Sequence, residues 1–236
     1  MSATLELAHT AGWYGKLASL GDFAQRRLPQ ECVQLFDGWM SAAMQDGQAR
    51  LGDRWLDVYL TAPVLRFAFA PGIVDARWWF GVLMASCDNV GRYFPLLIAQ
   101  PRNRAPEDRI AFDHLELWYE QLSQAALRTL GDGDSSSVAA FEAALDDAPL
   151  WPTPGRGAAL TSRDEAYGRH LRIAGAASLT SWLRSWATLE LGERLSGCTL
   201  WWRVSEDRAA DEVDLVHGLP DGDTFARLLE ANRAVA

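Results

Sequence analysis

The chain has 236 residues, 49% of them hydrophobic and 22% charged, with a formal net charge of -9. That composition is globular and long enough for one large domain. The acid excess, with no dense Lys/Arg run, argues against nucleic-acid binding and against an anionic membrane surface. Eleven tryptophans, each able to bury roughly 150–250 Å², suit a sizeable core without metal or disulfide staples. Cys32, Cys87 and Cys198 are far apart and odd in number, so neither a disulfide framework nor a zinc site is expected. Three free thiols suit a reducing cytoplasm. The N-terminal stretch MSATLELAHT lacks the basic and long apolar regions of a signal peptide. The most apolar stretch, Trp78 to Cys87, is too short to span a bilayer. A cytoplasmic protein without membrane insertion is the expectation.

In chain order, Trp13–Leu17 reads as a short strand entering the turn Ser19-Leu20-Gly21-Asp22. Pro29 suits a helix start. After it, Val33, Phe36, Trp39, Met40, Ala43 and Met44 recur at helical spacing. Trp55, Val58 and Tyr59 predict a second, short helix. Val64–Ala70, Arg77–Ser86 and Arg92–Gln100 read as three strands, and their short links imply antiparallel neighbours. Pro95 lacks a backbone donor, which predicts an edge or a bulge there. Asp108–Leu130 reads as a helix with Ile110, Leu115, Leu117, Trp118 and Leu122 on its buried face. The loop GDGDSSS, Gly131–Ser137, is where the chain would divide if residues 1–236 were not one domain. Val138–Leu145 is a short helix, and APLWPTPGRGA an irregular connector. Leu171–Ala174 reads as a strand. Ser178–Leu191 reads as a helix with Leu179, Trp182, Leu183, Trp186 and Leu189 on one side. Cys198–Ser205 reads as a strand, and a last helix is capped by Asp223. The pattern predicts an α/β fold with a mixed, largely antiparallel sheet covered by helices. On a strand, neighbours point to opposite faces. The doublets Trp78-Trp79 and Trp201-Trp202 therefore imply that both sheet faces are covered.

The stretch GWYGKLASLGDF, Gly12–Phe23, invites a phosphate cradle through Gly15-Lys16. A P-loop needs a glycine five positions before Gly-Lys and a Ser or Thr after it, and Leu17 follows Lys16. The dinucleotide glycine pattern is also absent, so no nucleotide cofactor is expected. A hydrolase using Ser86 or Cys87 would need a histidine brought in by folding. His9, His114, His170 and His217 lie in separate segments, and none belongs to a catalytic motif. Lys16, Ser19, Asp22, Arg66, Asp88 and Arg92 lie on or beside the first strands. They suit ion pairs that orient loops, or a polar rim around an aromatic binding patch.

Taken together, GWYGKLASLGDF, APVLRF, WWFGVLMASCDNVGRYFPLLI, LWWRV and GLPDGDTFARLL, in this order, resemble the type VI secretion-associated TagF family, also called ImpM. The likeness runs almost end to end. It is most specific at Gly12–Phe23 and Ser86–Pro95, close to G-[WF]-[YF]-G-K-x-P-S-x-G-D-F and P-S-x-D-x-V-G-R-x-F-P-L. Lys16, Ser19, Gly21, Asp22, Arg66, Ser86, Asp88, Gly91, Arg92, Phe94 and Pro95 match. Ala18 and Ala85 stand where proline is usual, Leu65 where tryptophan is frequent and Ala62 where serine is. The resemblance implies a three-layer α/β/α sandwich with no established enzymatic activity or cofactor. It further implies a cytoplasmic post-translational repressor of secretion, acting with a forkhead-associated-domain scaffold protein. On that expectation Lys16, Ser19, Asp22, Arg66, Ser86, Asp88 and Arg92 orient loops or contact the partner. The competing expectations are the hydrolase and a structural subunit of the secretion assembly.

Overall fold

The computed structural model describes residues 10–148, 159–165, 168–174, 179–203 and 212–230. The N-terminal stretch before Thr10 and nearly all of the Pro/Gly-rich connector after Ala148 lie outside them.

Seven strands form one sheet in the order β2-β1-β5-β4-β3-β8-β9. They are β1 (Gly12–Gly15), β2 (Ala24–Arg26), β3 (Leu65–Phe69), β4 (Trp78–Met84), β5 (Leu96–Arg102), β8 (Cys198–Trp202) and β9 (Val213–His217). A separate hairpin pairs β6 (Ala159–Glu165) with β7 (Gly168–Ala174). Every strand pair among the described residues is antiparallel, so the expected mixed sheet is corrected. The expected edge or bulge at Pro95 is corrected too. Strand β5 is interior, between β1 and β4, and begins after Pro95. The missing N–H therefore falls outside the ladder.

Helices α1 (Gln30–Leu51), α2 (Trp55–Leu60) and α6 (Gly222–Leu229) bury their apolar sides in one core. That core also takes Phe67, Phe69, Trp79, Leu97 and Trp201 from the sheet. Helices α3 (Arg109–Arg128) and α4 (Val138–Asp146) bury Trp118, Leu122 and Phe141 in a second core. There they meet Ala68, Trp78, Phe80, Val82 and Ile98, the alternate residues of the same strands. The tryptophan doublets divide between the two: Trp79 and Trp201 face the first core, Trp78 the second, and Trp202 packs against the second. Helix α5 (Leu179–Arg194) precedes β8.

Some side chains fall elsewhere than their spacing suggests. Leu115, Trp118 and Leu122 form the buried stripe of α3, at offsets of three and seven, with Ala125 and Ala126. Ile110 in the first turn and Leu117, off the stripe, are exposed. Leu183 of α5 is exposed as well. The cap of α6 is Asp221, whose carboxylate accepts from Thr224 N at 2.8 Å, and Asp223 lies inside the first turn.

Candidate functional site

Two loops meet at one end of the sheet, where β1 and β4 finish and β5 begins. The first continues β1 through Lys16 to Phe23. The second joins β4 to β5 and is a tight turn, with Gly91 N donating to Asp88 O at 3.0 Å. Gly91 holds φ at +80°, a left-handed conformation that favours glycine. Phe94 N donates to Ser86 O and Asp88 N to Arg92 O, which closes the base of the turn. At Gly15, φ is +138° and an added Cβ would stand 2.1 Å from Pro95 O, so only glycine lets β1 and β5 approach here.

Asp88 ties the loops together. Its Oδ2 accepts from Lys16 Nζ at 2.8 Å and from Arg92 Nε at 2.6 Å. Its Oδ1 accepts from Val90 N at 3.1 Å and Arg92 N at 2.9 Å. The Lys16 and Asp88 side chains are both buried. Burial opposes ionisation of Asp88, but the bonds from Lys16 and from the backbone and side chain of Arg92 outweigh it. They hold its carboxyl well below the usual carboxylate range. Arg92 Nη2 also donates to Gly21 O, and Asn89 N to Leu20 O, so both loops share backbone bonds. Ser86 Oγ donates to Lys16 O at 2.8 Å. Tyr59 of α2 donates its hydroxyl hydrogen to Ser86 O and accepts from Ser86 N. Burial pushes the Tyr59 phenol well above its ordinary value, so it stays a neutral clamp.

The fold thus brings Lys16, Ser86, Asp88 and Arg92 together and leaves three expected residues out of that network. Ser19 and Asp22 are exposed, and Asp22 accepts from the N–H of Phe23 next to it. Arg66 lies in the sheet row of Val82 and Trp202, facing α3. It pairs there with Glu116 and, at 2.9 Å, with Glu120, over the Tyr119 ring. Arg66 is therefore corrected from a loop-site residue to a strut between β3 and α3. Sequence reasoning missed Phe23, which packs edge-on to Phe94 with centroids 4.8 Å apart and lies 5.0 Å from Lys16 Nζ. It also missed the hydroxyl of Tyr59, which helical periodicity marks only as apolar. Phe23, Val90 and Tyr93 are exposed on the joined loops.

Among the described residues no histidine hydrogen-bonds to Ser86 or Cys87. His114 is exposed on α3, and His217 Nδ1 lies 3.3 Å from Cys198 Sγ across the β8–β9 pair. His9 and the His170 side chain lie outside the description. Three or more His, Cys, Asp or Glu side chains do not gather into a metal site among the described residues. No helix among them is long and apolar enough to cross a membrane.

A family model described as the TagF N-terminal domain, type VI secretion system-associated, matches residues 12–148. The chain belongs to the TagF family. Its two-loop site is built from residues inside that match, Lys16 to Arg92. The crystal structure of PA0076 from Pseudomonas aeruginosa PAO1 is similar, with a TM-score of 0.74 and 34% sequence identity. The similarity covers 96% of this chain and 97% of that one, so it extends past the TagF N-terminal match. Comparison with curated proteins finds no match.

Proposed function

We propose that this type VI secretion-associated TagF protein is a non-enzymatic cytoplasmic repressor that acts after translation by binding a forkhead-associated-domain scaffold. One observation carries the reading. Lys16, Asp88 and Arg92, from the two most family-specific stretches, bond to one another, while Phe23, Val90 and Tyr93 remain exposed on the loops they brace. Rigid, exposed aromatic groups on a braced frame are what protein recognition uses. The Ser86 hydroxyl is buried and donates to the Lys16 carbonyl, which supports a role in holding the loops together. On this reading the helices over both sheet faces make the three-layer α/β/α sandwich of the family.

The test is capture of the purified protein by the immobilised forkhead-associated scaffold of its own secretion system. Wild type is retained, and Tyr93→Glu weakens binding about tenfold or more while circular dichroism stays unchanged. No retention of wild type overturns the proposal. Deleting the gene leaves sheath assembly intact, whereas a structural subunit would be required for it.

A further inference from the structure

Strand β2 ends the sheet, and among the described residues no strand pairs with its outer edge. Such an edge presents backbone donors and acceptors that another chain can pair with. Beside it an open groove of about 500 Å³ lies between Phe23–Arg26 and the first two turns of α1. A sheet edge with a helix alongside is a setting in which an extended peptide adds as one more strand.

The register fixes what faces the groove. Gln25 pairs with Tyr14, whose side chain belongs to the core beneath α1. Gln25 therefore points to the α1 side, and its Nε2 donates to Gln30 Oε1 at 3.2 Å. Arg26 pairs with Trp13, which belongs to the opposite core, so its stem starts from the other face. Its exposed guanidinium reaches back to the rim, where Nη1 donates to Gln25 O at 2.8 Å. A side chain rather than a strand thus covers this carbonyl. The other charged lining residue, Asp37 of α1, is half-buried and accepts from the Tyr14 hydroxyl. Among the described residues that is its only hydrogen bond, and no lysine or arginine pairs with it. Val33 and the exposed ring of Phe23 add apolar wall.

We propose that an extended segment of a partner protein adds to the free edge of β2 and sets a lysine or arginine against Asp37. In this mode main-chain pairing supplies affinity, and alternate side chains in the groove supply specificity. Asp37 offers a counter-charge on the α1 side of the edge, where Gln25, Gln30 and Gln34 are neutral. The aliphatic stem of a lysine or arginine suits the Val33 and Phe23 wall. The chain's net charge of -9 favours approach of a basic segment. Arg26 is exposed, so an incoming strand can displace its guanidinium from Gln25 O. Phe23 joins the groove to the braced loops, so one partner can span both. Occupancy of the groove does not require the forkhead-associated scaffold, so the titration below and the scaffold capture fail independently.

The probes are blocked peptides Thr-Val-Thr-X-Thr-Val-Thr with lysine or glutamate at X, in which the valines share the face of X. In the ¹⁵N-labelled full chain, the amides of Gln25 and Gln34 report on the groove. The lysine peptide is expected to shift both saturably, to bind about threefold more tightly than the glutamate peptide, and to slow hydrogen exchange of at least one amide in Ala24–Arg26. Asp37→Asn, which can still accept from Tyr14, removes the preference, and Asp37→Lys reverses it. Gln34→Trp, which fills the groove from the exposed side of α1, abolishes binding. Any one variant suffices if the others do not fold. The proposal is overturned if neither peptide gives a saturable shift, if the preference survives Asp37→Asn, or if no β2 amide slows. It is also overturned if the chain sediments as a dimer that the lysine peptide does not dissociate and that Gln34→Trp does, because a second copy then holds the edge.

Discussion

Asp88 shows how a family-specific residue earns its place through geometry. Its carboxylate is the counter-charge of a lysine whose side chain is only 5% exposed. Asp88→Asn keeps the shape, removes that charge and leaves Lys16 buried without it, the costly way to break such a pair. Arg92, by contrast, is 58% exposed, so its pair is screened by water. We expect Asp88→Asn to lower the urea midpoint clearly more than Arg92→Ala, with chemical denaturation as the measurement. The pH dependence has a definite sign. The folded carboxyl lies below its unfolded value of about 3.9, so its contribution is complete above pH ~4 and is lost as pH falls through the lower folded value. Asp75 acts in the same direction, because bonds from Arg77 and Trp79 hold it down against burial. Asp88→Asn should therefore flatten the acid limb of the stability curve without abolishing it. The thiols differ as well. Burial, aided by the Asp75 carboxylate, pushes Cys32 up to about 11, and Cys198 is also buried, whereas Cys87 is half-buried. Alkylation of the native protein at pH 8, read by mass spectrometry, should modify Cys87 first and Cys32 only on unfolding. Lys16, Asp88 and Arg92 were legible together because each stands in a turn-rich, motif-like stretch. Arg66 was not, because an arginine inside the apolar run VLRFAFA does not reveal which face it serves, and its partners Glu116 and Glu120 lie in another element.

Among the elements, α4 is the sharpest test of local signals against packing. The side chain of its N-cap Ser137 accepts from Ala140 N at 3.2 Å. Its Phe141 is 2% exposed and meets Trp13 of β1 edge-on at 5.4 Å. Ser137→Ala should cost about 1 kcal/mol, whereas Phe141→Ala should cost about 3–5 kcal/mol. The second change removes the plug between helix and sheet, so thermal melts should rank the two in that order. Helix α1, whose Val33, Phe36, Met40 and Ala43 recur at helical spacing and are buried, could be read directly from spacing. So could β3 and β4, whose apolar runs lie between turn residues. Strands β2 and β9 could not: β2 is three residues long, and the β9 segment VDLVH lies at the sheet edge with most of its side chains exposed. Strand β6, ALTSRDE, lacks the alternation that marks a half-buried strand, and it is specified by pairing with β7. The Asp221 cap was missed for a related reason. Two aspartates flank Gly222, and only the backbone decides which one faces the free amides.

At the scale of the whole molecule, the TagF N-terminal match ends at residue 148, but the packing does not. Strand β8 pairs with β3 along Arg66–Phe69, and β9 pairs with β8. Trp201 of β8 packs against Phe67 and Phe69, each with centroids 5.3 Å away, and against Trp39 of α1 at 5.6 Å. Helix α6 adds Phe225, Leu228 and Leu229 to the same core, and the Trp39 indole donates to Pro220 O at 2.8 Å. A fragment ending at Ala148 would lose all of this. Burial of Trp201, Phe225, Leu228 and Leu229 alone is worth about 6–12 kcal/mol, at about 1.5–3 per side chain. That is comparable with the whole net stability of a domain, about 5–15 kcal/mol. The loss would also convert β3, an interior strand buried along its length, into an exposed apolar edge, which invites aggregation. We therefore expect residues 1–148 expressed alone to aggregate or to remain unfolded, with weak near-ultraviolet circular dichroism and strong dye binding. Adding residues 149–236 as a separate chain should restore solubility if the two pieces are folding partners. A soluble fragment that melts cooperatively near the full-length temperature would mean that the N-terminal half carries its own core. The tryptophan contacts would then be a docking surface rather than part of one folding unit.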